Sequence, residues 1–263
     1  MHFTKMQGLG NDYLYVYGEV PENVAELSQK LSERHFGAGS DGMIYISPSK
    51  TADFRMRIFN ADGSEAKMCG NGIRCVGKYV YDKGYTDRKV LRIETLSGIR
   101  TLHLTARSGK VKAVTVEMGR AEAGEEQEIT VGGVLVTGIP VSVGNPHFVI
   151  FTDDSGRLLP EREGPLIEKH EAFPGGINVE FARITGENQI RMRVWERGSG
   201  ITMACGTGAC ASAAAAVKKG FCRPDTPILV ELDGGTLEIT VQSSGEVLMT
   251  GPAEFVYEGE AAL

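Results

Sequence analysis

The residues with the clearest chemical potential are Cys205-Gly206-Thr207-Gly208-Ala209-Cys210, which lead into an alanine-dense run through Ala216 that ends at Lys218-Lys219-Gly220. High helix propensity followed by a glycine stop predicts a helix with Cys205 at its N-terminal end. There the unpaired N–H groups and the positive end of the helix dipole favour an anion, so the thiol should ionise more readily and a carboxylate can dock beside it. The same letters also fit a small buried cysteine that opens a core helix.

The chain states this pattern twice. Arg55-Met56-Arg57-Ile58-Phe59-Asn60 precedes Cys69-Gly70-Asn71-Gly72, and Arg191-Met192-Arg193-Val194-Trp195-Glu196 precedes Cys205-Gly206-Thr207-Gly208, at a constant offset of 136. Gly10-Asn11 matches Gly144-Asn145 at an offset of 134. Two matches in one order imply two similarly folded halves, each presenting a cysteine at a helix start. If a pseudo-twofold axis brings those helix tips together, two thiols face one cavity from opposite sides. That arrangement suits inversion at a carbon acidified by a carboxylate. One thiolate removes the α-proton, the other thiol returns a proton to the opposite face, and a single base would tend to give retention. The backbone N–H groups of Gly70, Asn71, Gly206 and Thr207 would hold the charge that develops on the carboxylate.

The elements that must position these groups follow from periodicity. Residues 13–17 read as a strand after the turn-rich Gly8-Leu9-Gly10-Asn11-Asp12, and residues 21–34 carry Val24, Leu27 and Leu31 at helical spacing. A glycine-rich loop, 37–42, enters the apolar strand 43–46. The alternating strand 54–59 delivers Asn60, and the Cys69 helix runs to about Lys83, where Gly84 ends it. Short alternating segments between 90 and 118 read as antiparallel strands. The acidic stretch 122–128 reads as a solvated loop. The second half repeats the plan: strand 138–143, turn 144–147, strand 148–151, helix 158–170, a loop into a strand over 175–181, and strand 190–195 bringing Glu196 and Arg197 to the rim. Strands at 228–232, 236–241 and 247–250 follow the Cys205 helix. The predicted domains are 1–113 with 252–263, and 114–251.

Composition narrows the function classes. At 263 residues the chain suits one large domain or two modest ones, and the duplication favours two. A net charge of −6, with no basic run longer than Lys218-Lys219, argues against nucleic acid or anionic membrane as partner. Met1-His2-Phe3-Thr4-Lys5 lacks an apolar signal core, and no stretch approaches the ~20 apolar residues of a membrane span, so a cytoplasmic location is expected. Five cysteines are then expected as reduced thiols. Their spacing fits neither a C-x-x-C redox pair nor a zinc site, and Cys75, Cys210 and Cys222 read as packing residues. No dinucleotide-binding glycine set, phosphate loop or serine elbow is present. A pyridoxal Schiff base at Lys67 stays open on the residues alone, although a cofactor would leave the paired cysteines without a purpose.

Asn11, Asn60, Met68-Cys69-Gly70-Asn71-Gly72-Ile73-Arg74-Cys75, Gly144-Asn145-Pro146-His147, Asn178-Val179-Glu180-Phe181, Glu196-Arg197-Gly198 and Ala204-Cys205-Gly206-Thr207-Gly208-Ala209-Cys210 together resemble the diaminopimelate epimerase family. The resemblance runs in order from Asn11 to Cys210. It implies an α/β (α+β) fold of two pseudo-symmetric domains, each a mainly antiparallel sheet wrapped around a central helix, with the active site in the cleft between them. It implies cofactor-independent interconversion of LL- and meso-diaminopimelate for lysine and peptidoglycan synthesis by a homodimer. Position by position, Cys69 and Cys205 become the acid/base pair, and Gly70, Asn71, Gly206 and Thr207 hold the reacting carboxylate. Asn60, Asn145, Asn178 and Arg197 grip the distal amino-acid end, Asn11 lines the site, and His147 and Glu196 assist near the reacting centre, Glu196 against the ammonium. Gly42 departs from members that place a substrate-contacting side chain there, so that contact is absent or made by backbone. A racemase for proline, hydroxyproline or histidine is the nearest rival. Arg197 with three asparagines favours a substrate with a second charged end. A non-catalytic amino-acid binding protein is the rival from another class.

Overall fold

The computed structural model describes residues 1–153 and 158–262. Positions 154–157 of the expected second domain and position 263 of the first lie outside the described residues. The chain divides into two compact units, Met1–Val116 with Thr250–Leu263, and Glu117–Met249. Both are mixed α/β, mainly antiparallel sheet with few helices.

In the first unit, β1 (His2–Gly8) pairs antiparallel with β2 (Asn11–Tyr17) and, on its other side, with the last strand of the chain, Glu254–Glu260. Helix α1 (Val24–Ser32) buries Val24, Leu27 and Leu31 against Phe3, Leu14, Met43 and Phe59. It is shorter at both ends than the sequence-based 21–34. Strand β3 (Gly42–Pro48) runs parallel to β2 and antiparallel to β4 (Phe54–Asn60). After the short β5 (Glu65–Ala66), helix α2 (Gly70–Asp82) packs on β1 and β2, and the meander β6 (Val90–Thr95), β7 (Gly98–Arg107) and β8 (Lys110–Arg120) follows. Helix α2 is buried through Val80, including the charged Lys78, whose Nζ lies 3.0 Å from Asp82 one turn on and donates to the Val111 carbonyl at 2.6 Å. A buried ammonium is tolerable only with such partners.

The second unit repeats the arrangement. After β9 (Glu122–Ala123), β10 (Gln127–Val131) and β11 (Val134–Ser142), strand β12 (Pro146–Phe151) runs parallel to β13 (Asn178–Gly186), which is antiparallel to β14 (Gln189–Glu196). The set β12, β13, β14 reproduces β2, β3, β4 in direction and order. Helix α3 (Pro160–Glu168) lies before β13, and the short β15 (Gly200–Ile201) follows β14. Helix α4 (Gly206–Lys218) contacts β9, β11 to β14, β16 (Ile228–Leu232) and β17 (Gly235–Val241), with β18 (Glu246–Gly251) beyond. A helix touched by strands on so many sides has room only for small side chains. That accounts for the alanine run, whose Ala209, Ala211, Ala213, Ala215 and Ala216 are all inaccessible to solvent.

Two sequence-based expectations need correction. The acidic stretch 122–128 is not one loop: β9 and β10 claim its ends, and only 124–126 lie between them. Glu125 and Glu126 there pair with Lys218 and Lys219 at the end of α4. The turn at 144–147 is shorter than expected, because Pro146 and His147 already pair with Ser142 and Val141 as the first residues of β12. Period-2 patterning is too weak over such short segments to set their ends.

Candidate active site

Each repeated cysteine is the cap of a helix. Cys69 precedes α2 with φ −137° and ψ 117°, and its sulfur accepts the Gly72 N–H at 3.3 Å. Cys205 precedes α4 with φ −115° and ψ 109°, and its sulfur accepts the Gly208 N–H at the same 3.3 Å. Extended backbone at the cap with a side-chain acceptor for the third helical N–H is ordinary helix capping, performed here by sulfur. Gly70 with Asn71, and Gly206 with Thr207, occupy the first turns, whose N–H groups have no partner within the helix.

Both third-position glycines are enforced by close approach. A Cβ on Gly72 would lie 2.7 Å from Ile44 Cδ1, and one on Gly208 would lie 2.7 Å from Glu180 Oε1. At Gly42 a Cβ would come within 2.2 Å of the Phe59 carbonyl oxygen, so this backbone admits no side chain there.

In the first unit, the Cys69 thiol donates to Asn11 Oδ1 at 3.2 Å, and Asn11 Nδ2 donates to Asp41 Oδ2 at 2.7 Å. Asp41 is fixed in turn by the Asp12 N–H and by Arg34. Asn60, at the end of β4, donates from Nδ2 to Ser64 Oγ at 3.1 Å.

The second unit places five of the expected residues in one network. Asn145 Nδ2 donates to Thr207 Oγ1 at 3.3 Å, and Thr207 Oγ1 lies 3.5 Å from Cys205 Sγ. His147 is fully buried, with Nε2 3.1 Å from Asn145 Oδ1 and Nδ1 2.7 Å from Glu180 Oε1. Glu196 accepts hydrogen bonds from the Thr202 hydroxyl and from the Cys205 thiol, and burial pushes its carboxyl above the usual carboxylate range. Asn178 spends its amide on backbone, donating to the Pro146 carbonyl at 2.8 Å and accepting the Arg197 N–H at 3.0 Å. It thereby sets the corner that carries Arg197, whose exposed guanidinium donates to the Gly175 carbonyl at 3.0 Å.

Position at a helix start predicts a thiol that ionises more readily, and for Cys205 the structure reverses the sign. Burial pushes this thiol well above its usual range, and the neighbouring carboxyls of Glu196 and Glu180 push the same way. Thr207 and the Gly208 N–H pull it down but do not win. Desolvation of a wholly enclosed thiolate outweighs two hydrogen bonds and a helix end. Lys67 is exposed on the segment before α2, without the desolvated surroundings that activate a Schiff-base lysine. A concavity of the second unit, lined by residues such as Leu135, Ile150, Arg183 and Phe221, includes none of the residues expected in the site.

Sequence reasoning passed over Glu180 and Thr202. Glu180 stood within a recognised motif, but its strand setting suggested nothing beyond packing. The duplication held a signal: at the offset of 136, Glu180 falls on Ile44, which is fully buried. A carboxylate in the place of a core isoleucine invites a functional question.

Comparison with known proteins identifies the family and the fold. The family model described as diaminopimelate epimerase matches residues 3–123 and 139–256. A diaminopimelate epimerase from Bacillus licheniformis is 49% identical, with 98% of this chain and 97% of that protein covered. One from Phocaeicola vulgatus is 50% identical, with 98% and 97% covered. Among solved structures, a hydroxyproline epimerase from Agrobacterium vitis, bound to trans-4-hydroxy-L-proline, superposes with a TM-score of 0.73 at 17% identity, covering 100% of this chain and 91% of that one, and so shares the fold. The chain belongs to the diaminopimelate epimerase family and is an isomerase.

Proposed function

We propose that the protein interconverts LL-2,6-diaminopimelate and meso-2,6-diaminopimelate in lysine biosynthesis, by inverting one α-carbon without a cofactor. The observation that carries this reading is the doubled cap: two cysteines, in duplicated settings, each with its sulfur at a helix tip and accepting a first-turn N–H. Family membership supports the substrate. Among the described residues no helix is long and apolar enough to cross a membrane. The same reading places the enzyme in the cytoplasm as a homodimer, where its product also feeds peptidoglycan synthesis.

In the mechanism, Cys69 and Cys205 act on opposite faces of the α-carbon, one removing a proton and the other supplying one. The N–H groups of Gly70, Asn71, Gly206 and Thr207 hold the substrate carboxylate as charge moves onto it. Glu196 already takes the hydrogen bond of the Cys205 thiol, and as a carboxylate it can meet the substrate ammonium. Asn60, Asn145, Asn178 and Arg197 set the distal end, which a proline-type substrate lacks.

Incubation with LL-diaminopimelate in heavy water tests this. The expected result is meso product carrying deuterium at the inverted α-carbon, with Cys69→Ser and Cys205→Ser each slowed at least about 100-fold, the lower range of general acid–base contributions. Serine also caps helices, so both variants should fold. Conversion at the wild-type rate in either variant ends the two-cysteine mechanism. Turnover of proline in place of diaminopimelate ends the substrate assignment.

A further inference from the structure

A chain of hydrogen bonds leads from Glu180 to the sulfur of Cys205, and the Asn145 amide shows its direction. With the Asn145 amide oriented as in the structure, its oxygen faces His147 Nε2 at 3.1 Å and its nitrogen donates to Thr207 Oγ1 at 3.3 Å. An amide oxygen only accepts, so Nε2 carries a hydrogen. The 2.7 Å approach of Glu180 Oε1 to Nδ1 then needs a proton between them, since two lone pairs would repel at that distance. Thr207 Oγ1 has already accepted from Asn145, so its own hydrogen is free to point at Cys205 Sγ, 3.5 Å away.

The fold itself does not ask for this carboxylate. Ile44 fills the equivalent place of the first unit, and Tyr13 stands where the 134-residue offset puts His147. Glu180 is fully buried, and its Oε2 has no hydrogen-bond partner among the described residues. Side chains that break the packing rule at such a cost concentrate at functional sites.

Resting on the two-cysteine reading above, we propose that Glu180 is a positioning residue. By donating its carboxyl hydrogen to His147 Nδ1 it holds Nε2 as a donor, and through Asn145 and Thr207 it aims one hydroxyl hydrogen at the Cys205 sulfur. When Cys205 gives up its proton, the thiolate then meets two ready donors, the Thr207 O–H and the Gly208 N–H. Without Glu180 the imidazole can change tautomer, the Asn145 amide can turn over, and the Thr207 hydrogen loses its direction.

The test combines kinetics with nitrogen-15 NMR of histidine-labelled enzyme, His147 being assigned by loss of its signals in His147→Gln. Glu180→Ala should lower kcat about 10- to 100-fold, the rate equivalent of one hydrogen bond to a charged group, and leave KM within about threefold. Glu180→Gln can donate from its amide to Nδ1 and keep the same Nε2–H, so it should retain most of the activity. In a Thr207→Val background the chain is already cut, and Glu180→Ala should cost little more, whereas a merely structural role would add its full effect. In the wild type, His147 Nε2 should be protonated at pH 7 to 8. A His147 Nε2 without a proton, a fully additive double variant, or a Glu180→Gln enzyme more than tenfold impaired would each overturn the proposal. If Glu180→Ala does not fold, the wild-type spectrum and Glu180→Gln still decide it. Failure of wild-type turnover would instead count against the function and leave the spectroscopic result standing.

Discussion

Replacing Gly208 with alanine tests the packing on which the second cysteine depends. The added Cβ would sit 2.7 Å from Glu180 Oε1 and 3.3 Å from Cys205 Sγ, where ordinary contacts begin at 3.4 Å. The carboxylate must therefore retreat by about 0.7 Å, away from a methyl group fixed to helix backbone. That oxygen is the one that meets His147 at 2.7 Å, so the retreat stretches or breaks a buried pair. Overpacking of this kind costs about 1–3 kcal/mol. Exchanging glycine for alanine in a helix returns up to ~1 kcal/mol. The net loss should be at most about 2 kcal/mol, a fall of a few degrees in Tm for a chain of this size. Activity should fall further, by about tenfold or more, because the His147 contact is displaced. Thermal melts with steady-state kinetics would measure both. Adding Glu180→Ala should abolish the stability cost of Gly208→Ala, since the clash partner is gone. Gly72→Ala is the control: its Cβ would meet the flexible tips of Ile44 and Met56, at 2.7 and 3.2 Å, and these can shift without touching a charged pair. A Gly208→Ala enzyme with full activity and a raised Tm would refute the reasoning.

Three further outcomes follow from the same geometry. The Cys205 thiol is held well above its ordinary value by burial, so the folded state keeps a proton that the unfolded chain releases above about pH 8.5. Folding stability should therefore fall as pH rises through that point, by up to about 1.4 kcal/mol per pH unit more in the wild type than in Cys205→Ala, and equal slopes in melts from pH 8 to 10 would contradict this. Treatment with a thiol oxidant should abolish turnover and dithiothreitol should restore it, with a Cys69–Cys205 disulfide found by mass spectrometry; activity surviving complete oxidation removes the paired role. Arg197→Ala should raise KM for diaminopimelate by about tenfold or more, as expected for a charged partner lost, and an unchanged KM would mean that the exposed guanidinium does not touch substrate.

What could be read from the sequence was whatever rests on local backbone chemistry. Cysteine before a glycine-containing helix start is a capping pattern, and its repetition at a fixed offset exposed two like-folded units before any coordinate was known. The site network was less legible, because it depends on strand neighbours far apart in the chain. His147 reaches Glu180 only because β12 and β13 run parallel, with His147 opposite Asn178 and Val149 opposite Glu180. The sign of the Cys205 shift was misread for a related reason. A helix start is visible in a sequence, whereas the wall of strands that desolvates the thiol is assembled from elements scattered over a hundred residues.

The duplication also separates what the fold needs from what the chemistry adds. Positions kept in both units, Cys69 with Cys205, Gly70 with Gly206, Gly72 with Gly208 and Asn11 with Asn145, are those that build the helix tip and set an amide by it, against the sulfur itself in the first unit and through Thr207 in the second. Of the positions that differ, Ile44 against Glu180 and Tyr13 against His147 lie on matching parallel strands, so strand direction does not explain them, whereas Gly42 against Asn178 differs in the backbone itself, which at Gly42 leaves no room for a Cβ beside the Phe59 carbonyl. Diaminopimelate presents one reacting carbon and one distant end, and two identical lobes could not treat those ends differently. In each of the three differing pairs the second unit carries the more polar side chain, and Asn178 and Glu180 stand against glycine and isoleucine. We therefore assign the first unit the plainer task of presenting Cys69, and the second the added tasks of orienting Cys205's proton partners and setting the corner that holds Arg197. The exchange Glu180→Ile, which copies the first unit, should on this view leave the fold intact while removing the direction of the chain to Cys205. A Glu180→Ile enzyme with unaltered kcat would show that the divergence between the units serves packing alone.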